Sequence, residues 1–234
     1  MLAERLPRPE SPKAPPAPVA ARVLTVLAAA GEIVRGANDG GWATSRPVWT
    51  LLSDWVTDPL PPLTEPDGYA ELVRRWLWAF GPGSEADLVW WLGATKTVVR
   101  RAVADVGAVA VQLEDGAPAW LHPDDTDEVR TPAHWAALLP VLDPTTMGWR
   151  GRAFYIDPVS AAAVYDSAGN GGPTAWYDGR IVGRWDQRPD GTVVVLPFDG
   201  LPRPAATALR HEAAELTRWL DGHILRSSLQ KPLS

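Results

Sequence analysis

The spacing of apolar residues in the middle of the chain predicts three short helices in close succession. Tyr69–Phe80 places apolar residues at i, i+4 and i+8, which is the spacing of one helix face. After a Gly-Pro-Gly stop, Ser84 can cap a second helix over Glu85–Trp91. A glycine then breaks the chain, and Thr95 can cap a third helix over Lys96–Val106.

Two short strands are predicted directly after the third helix. Ala108–Glu114 alternates apolar and polar residues, a turn follows at Asp115-Gly116, and Pro118–His122 returns. Helix, helix, turn, helix and a two-stranded wing is the element order of a winged helix-turn-helix domain. We therefore predict such a domain over residues 68–123.

The region before this domain predicts an incomplete copy of the same arrangement. Residues 1–18 are rich in proline, which favours a disordered leader. Val19–Ala30 predicts a helix and Gly31–Trp49 a hairpin, so residues 19–62 are interpreted as the remnant of a winged helix followed by a linker. The remnant would leave apolar surface uncovered around Val23–Leu27, which predicts self-association or a partner chain.

The region after residue 130 predicts a β-rich domain with a terminal helix. Thr131–Leu139 reads as a short helix or turn, and Ala205–Leu220 as an amphipathic helix with Leu209, Leu216, Trp219 and Leu220 on its buried side. Close spacing of short strands and turn signals indicates an antiparallel meander or a small barrel. The predicted strands are Trp149–Tyr155, Ala163–Tyr165, Thr174–Tyr177, Arg180–Trp185 and Thr192–Phe198. The expected fold is therefore α+β, a winged helix followed by a barrel-like antiparallel domain.

The composition and charge of the chain limit the functions that it can be expected to have. The chain has no cysteine, and its four histidines lack metal-ligand spacing, so neither a metal nor another cofactor is predicted. No stretch approaches the roughly 18 apolar residues of a membrane span, and no signal-peptide core is present, so a cytoplasmic location is expected. The net charge of −6 argues against a basic coat but leaves room for a local basic face.

The start of the third helix carries the densest candidate chemistry for nucleic-acid binding. The N-terminal end of such a helix enters the major groove in helix-turn-helix proteins, and its free N–H groups attract phosphate. Basic side chains add the salt-dependent attraction that dominates affinity. The candidates for contact with double-stranded DNA are Thr95, Lys96, Thr97, Arg100 and Arg101. The alternative is a solvated helix face on a scaffold domain.

Loops supply a second set of candidates. Arg46 lies on the first predicted hairpin, where a wing arginine can reach a groove or a phosphate. Trp149, Arg150 and Arg152 follow a Met-Gly pair, and such an apolar loop could wedge into a DNA groove or simply pack at a barrel rim. Asn170 lies in a glycine-rich loop that lacks the Gly-Lys-Ser/Thr ending of a phosphate-binding loop, so a turn role alone can explain it.

Four segments together resemble one family, the AlkZ-type winged-helix DNA glycosylases, which excise alkylated or crosslinked bases. They are RGANDGGWATSRPVW, LVRRWLWAFGPGSEADLVWWLGATKTVVRRAVADV, LPVLDPTTMGWRGRAFYIDP and GNGGPTAWYDGRIVGRW, in the family's order. The resemblance implies tandem winged helices and a β-rich domain that form a concave DNA-binding surface. It also adds Arg180, at the end of the Asn170 loop region, to the residues expected to face DNA.

One departure from the family decides the expected activity. The family's catalytic pair is a Gln-x-Gln motif near the start of the full-length protein, whereas Gln112, Gln187 and Gln230 of this chain do not form that pattern. The resemblance therefore implies a DNA-binding relative of the glycosylases without glycosylase activity and without an assigned catalytic residue. An active glycosylase using other residues or a partner chain, a transcription regulator and a non-DNA interaction module remain alternatives.

Overall fold

The computed structural model describes residues 19–40, 46–58, 61–130 and 132–225. The predicted leader, residues 1–18, lies outside the described residues. The chain divides into two compact units, residues 1–62 and residues 63–234. No helix within the described ranges is long and apolar enough to cross a membrane.

The first unit consists of a helix and a hairpin. Helix α1 spans Val19–Ala29, strands β1 and β2 span Ile33–Asn38 and Pro47–Leu51, and the single-turn helix α2 spans Leu52–Trp55. The strands pair antiparallel with an irregularity near the turn, and no residue of α1 is buried. The unit therefore has little core among its described residues.

The helical part of the second unit comprises α3 (Glu65–Phe80), α4 (Glu85–Leu92) and α5 (Lys96–Val106), followed by the hairpin of β3 (Val109–Gln112) and β4 (Pro118–Leu121). Helix α3 begins four residues before the predicted start because the Thr64 side chain caps it. Helix α5 packs along α3. The shared core consists of Val73, Trp76, Leu77, Leu88, Val99, Ala102 and Val103.

A four-stranded antiparallel sheet with a covering helix forms the rest of the second unit. The new elements are β5 (Ala136–Leu139), α6 (Pro144–Met147), α7 (Pro158–Val164), β6 (Thr174–Tyr177), β7 (Arg180–Gln187), β8 (Val193–Pro197) and α8 (Arg203–Leu220). The strand order is β5-β6-β7-β8, and no described residue links β8 back to β5. The sheet is therefore the antiparallel meander that the sequence offered as one alternative, and the barrel alternative is wrong. Helix α8 packs against β5, β6 and β8 and covers the sheet. The apolar face of the sheet is therefore buried although the sheet does not close into a barrel.

Four further expectations about this region are corrected. Trp149–Tyr155 forms turns and irregular chain rather than a strand. Of the predicted strand Ala163–Tyr165, the first two residues end α7, which Asp157 caps and Pro158 begins, and Tyr165 forms an isolated bridge with Gly171. Thr131 lies outside the described residues, and the end of the segment predicted as helix or turn is strand β5. Trp219 is 70% exposed, because the buried stripe of α8 runs through Leu209, Ala213 and Leu220.

Candidate nucleic-acid interface

The start of α5 presents all five of its sequence candidates to solvent. A left-handed Gly93 turns the chain out of α4, and the Thr95 side chain accepts a hydrogen bond from the Val98 N–H at 3.3 Å. Thr95, Lys96, Thr97, Arg100 and Arg101 are all exposed. The buried side of the helix is formed by Val99, Ala102 and Val103, which places the cations on the opposite side. The helix thus displays its basic residues outward.

A carboxylate that sequence reasoning missed sits among these cations. Glu85 on the first turn of α4 lies 3.3 Å from Lys96 Nζ and 2.6 Å from Arg100 Nε. The hydrogen bond from Arg100, followed by that from Lys96, lowers the pKa of Glu85 against the opposing effect of partial desolvation. Arg101 lies 3.6 Å from Asp105 one turn further along α5. A phosphate that binds Lys96 and Arg100 must therefore compete with Glu85.

Asp87, on the same first turn of α4, anchors the loop that carries Arg150. Its Oδ2 accepts hydrogen bonds from the Ser84 N–H and hydroxyl, which completes a capping box. Its Oδ1 accepts from the backbone N–H groups of Arg150 and Gly151 at 2.8 and 3.1 Å. The side chain is buried, and its four bonds satisfy a carboxylate that would otherwise be costly to bury. One carboxylate thus fixes the exposed Arg150 beside α4.

Trp149 lies where the helices of the second unit meet the sheet. Its indole N–H donates to the Phe80 carbonyl at 3.0 Å, and its ring meets the rings of Phe80 and Phe154 edge-on at 5.3 and 5.2 Å. Both the helical core and the sheet core contact this half-buried side chain. Gly148 leaves room for the Phe80 ring, since a Cβ there would lie 2.6 Å from it. Packing accounts for this Met-Gly-Trp sequence.

Arg152 is half-buried and stacked against aromatic rings. Its guanidinium carbon lies 3.8 Å from the centre of the Tyr165 ring and 5.9 Å from that of Trp90, and Nη2 donates to the Gly169 carbonyl at 3.1 Å. Tyr155 and Tyr165 share a 3.0 Å hydrogen bond between their hydroxyls. Burial raises the pKa of both phenols, so both stay protonated at neutral pH. Arg152 joins the loop after Trp149 to the loop before Asn170.

The remaining candidates have separate surroundings. The Asn170 side chain donates to Asp166 Oδ2 at 2.9 Å and closes its own loop. The exposed Arg180 donates from Nη1 to the Phe154 carbonyl at 3.1 Å. Arg46 belongs to the first unit, where its side chain is exposed and its backbone N–H donates to Asn38 Oδ1.

These contacts sort the candidates into two groups. The first turn of α4 brings the basic start of α5 and the Arg150 backbone together, through Glu85 and Asp87. Trp149, Arg152 and Asn170 hold the loops around the sheet. No group of three or more His, Asp or Glu side chains in the described ranges is arranged to hold a metal ion. The geometry therefore offers an exposed basic face on α5 and, separately, loops whose candidate side chains are bonded within the protein.

The second unit combines an α+β fold, antiparallel sheets and an exposed basic helix end. The family model described as "DNA glycosylase AlkZ-like" matches residues 1–219, so the chain belongs to the AlkZ-like DNA glycosylase family. A curated relative from Streptomyces sahachiroi, the interstrand DNA cross-link repair glycosylase, is 28% identical over 204 residues. That alignment covers 84% of this chain and 54% of the relative.

A solved structure from the same organism gives matching evidence. The chain resembles the Streptomyces sahachiroi DNA glycosylase AlkZ with a TM-score of 0.73 and 26% identity, over 87% of this chain and 55% of that one. The chain thus spans about half the length of these relatives. The resemblance to the AlkZ family expected from the four segments is confirmed.

Proposed function

We propose that this chain binds duplex DNA through the α4–α5 face of the second unit, as the DNA-contacting part of a glycosylase-like repair protein. The observation that carries the proposal is the exposed basic start of α5. The side chains of Lys96, Arg100 and Arg101 are 69%, 66% and 68% exposed around a helix end whose N–H groups favour anions. Arg150, held on α4 by Asp87, extends this face.

The order of elements supports a winged helix as the frame of this face. Helices α3, α4 and α5 are followed directly by the β3–β4 hairpin, and α5 packs on α3 with its basic side outward. In this interpretation α5 is the groove-binding helix and β3–β4 is the wing. We assign residues 68–123 to this domain, 19–62 to a second, partial one, and 130–234 to the sheet domain.

The proposed substrate class is damaged duplex DNA. The curated relative is named for interstrand cross-link repair, and the matched region covers most of this chain. Because the match spans about half of that relative, we propose only that this chain binds such lesions. The candidate contacts are Arg46, Arg180 and the basic residues of α5. The side chains of Trp149, Arg152 and Asn170 hold loops within the protein, so we assign no DNA contact to these three residues.

We further propose that the chain does not release bases by itself. Hydrolysis needs a group that orients or activates water, and the family's Gln-x-Gln pattern is absent from this sequence. The two described glutamines support the proposal. The Gln187 amide donates to the carbonyls of Gly191 and His223 and accepts from the Leu225 N–H, and Gln112 donates to the Gly116 carbonyl. The Gln187 amide thus makes three structural bonds, and the exposed Gln112 amide makes one through its nitrogen.

A contact to a second chain through α1 is proposed as well. Val19, Val23, Val26 and Leu27 follow the spacing of one helix face and are 77%, 49%, 66% and 36% exposed. Sedimentation velocity of the intact protein tests this contact. A monomer over the whole concentration range, without a change on substituting Val23 and Leu27 by Ser, would remove it.

DNA binding is tested by titrating plain and crosslinked duplexes at several salt concentrations. Replacing Lys96 and Arg100 by Ala should lower the slope of log K against log salt by about 1.8, or about 0.9 for each lost phosphate contact. The matched control replaces Arg74 and Arg75, which share Glu71 on α3 as Lys96 and Arg100 share Glu85. Equal slopes for both double variants would remove this interface, and no binding of either duplex at low salt would favour a non-DNA interaction module. Release of a base by the purified chain would contradict the proposed lack of activity.

A further inference from the structure

A groove with a basic rim lies between the outer edge of β8 and one side of α8, and no residue of α4 or α5 lines it. Its volume is about 620 Å³. Val193, Val195 and Ala213 provide apolar lining. Arg188 lies at one end, and Arg210 and Arg218 project from α8, two turns apart. We propose that this groove binds an extended acidic segment of a partner protein.

The backbone of β8 can accept such a segment as an additional strand. Strand β8 is at the edge of the sheet, with β7 as its one strand partner among the described residues. The Arg188 N–H donates to the Thr192 carbonyl and the Phe198 N–H to the Val182 carbonyl. Because backbone groups alternate in direction along an antiparallel strand, these bonds fix which residues of β8 face away from β7.

The outward-facing residues are Val193, Val195 and Pro197. The Val193 N–H confirms this direction, since it donates to Thr217 Oγ1 on α8 at 2.9 Å. Pro197 has no N–H, which limits the free edge at the other end. The Val195 N–H and carbonyl lie between these two points and are directed outward. A peptide that pairs with this short edge would use the β-strand addition seen in many peptide complexes.

Charge complementarity selects an acidic occupant. Three arginines rim this groove in a chain whose net charge is −6. No Asp or Glu belongs to the lining, although Glu215 pairs with Arg218 beside it and Asp190 lies near Arg188. Alternate carboxylates on an added strand would reach the arginines, while the intervening apolar side chains would cover the valines. This apolar lining favours a peptide over nucleic acid, which offers charge without aliphatic side chains.

The chain's own ends do not complement this groove. The residues after Leu225 contain Arg226 and Lys231 and no Asp or Glu, and residues 1–18 contain more basic than acidic side chains. The segment Asp124–Glu128 is acidic and belongs to the same chain, so a second copy is a distinct outcome that the test must separate.

The test uses the intact protein and a fluorescent synthetic peptide in which glutamate and valine alternate. We expect saturable binding that weakens with salt, and about tenfold weaker binding by the Arg210→Glu variant. Arg203→Glu, on the same helix but outside the lining, is the matched control and should bind as the unchanged protein does. A peptide with lysine in place of glutamate should bind Arg210→Glu better than the unchanged protein.

A second pair of variants distinguishes loss of peptide binding from loss of folding. Ala214 is exposed and lines the groove between Arg210 and Arg218, so Ala214→Glu places a carboxylate four residues from each and should block the peptide. Ala214→Gln has a similar volume without charge and should bind the peptide within about threefold of the unchanged protein. Both variants should keep the unchanged thermal midpoint.

Three results would overturn the proposal. One is the absence of peptide binding, or equal binding by Arg210→Glu and Arg203→Glu. Another is weaker binding of duplex DNA by Arg210→Glu when the acidic peptide does not bind, which would assign the groove to nucleic acid. The third is self-association that Arg210→Glu abolishes, which would assign it to a second copy.

Discussion

The start of α5 and the loop from Gly148 to Arg152 both supply sequence candidates for DNA contact but place most of these side chains in different surroundings. On α5, basic side chains project into solvent and pair with Glu85 at the surface. In the loop, Trp149 packs inside and donates to the Phe80 carbonyl, and Arg152 stacks on Tyr165. An aromatic or basic residue therefore indicates a nucleic-acid contact only where its side chain remains exposed to solvent.

The largest expected effect that tests this contrast is on stability, from Trp149→Ala. We expect the free energy of unfolding to fall by about 3 kcal/mol, because the change empties space between two core clusters and leaves the Phe80 carbonyl without its donor. Denaturant titration measures the change. Trp219→Ala, at a 70% exposed position, is the control and should cost less than about 0.5 kcal/mol. A stable Trp149→Ala protein with weakened DNA binding would restore the wedge interpretation.

Asp87→Ala should have the next largest effect. It removes the acceptor of the Ser84, Arg150 and Gly151 N–H groups, so we expect a loss of about 2 kcal/mol in the free energy of unfolding. Asp87→Asn keeps an acceptor oxygen for the loop and should lose less. The comparison is made by thermal and denaturant unfolding. Equal stability of Asp87→Ala and the unchanged protein would show that the loop is held by other contacts.

Glu85→Gln is expected to strengthen DNA binding two- to fivefold. The change releases Lys96 and Arg100 from exposed, weak ion pairs, so that phosphate no longer competes with the carboxylate. Fluorescence anisotropy with a duplex at low salt measures the gain. Glu71→Gln on α3 is the matched control and should change nothing. A weakened complex would mean that Glu85 orients the cations that bind DNA.

The smallest effect is expected from Asn170→Ala. Hydrogen bonds from the Asn170 side chain and then from its backbone N–H lower the pKa of Asp166. The ionised carboxylate therefore stabilises the loop above the ordinary carboxyl pKa, and this contribution is lost as pH falls through the pKa of the folded state. In Asn170→Ala we expect the pKa of Asp166 to rise toward its ordinary value of 3.8, which makes this contribution to stability smaller. Carboxyl NMR titration measures the shift, and DNA affinity should not change. An unchanged Asp166 pKa would contradict the assigned bond.

Local signals in the sequence predicted the helical part of the second unit well. Capping by Ser84 and Thr95 set the starts of α4 and α5, and the structure gives α5 the predicted bounds of Lys96–Val106. A capping side chain acts within four residues of its helix, so it can be recognised from the sequence alone.

The bonds that define the candidate site depend on residues far apart in the chain. Arg100 and Glu85 are 15 residues apart on two helices, and Asp87 and Arg150 are 63 apart. No periodicity links such positions. The barrel was expected because short strands alone do not reveal that α8 crosses the sheet and covers the face that closure would have buried. The interior position of Trp149 likewise depends on where Phe80 lies.

Because Asp87 holds both its own helix and the loop at Arg150, local opening of one should expose the other. The amide hydrogens of Arg150 and Gly151 point at a carboxylate whose position is set by the first turn of α4. Their exchange with solvent deuterium should therefore follow the fraying of that turn, so that loop and helix end behave as one cooperative segment.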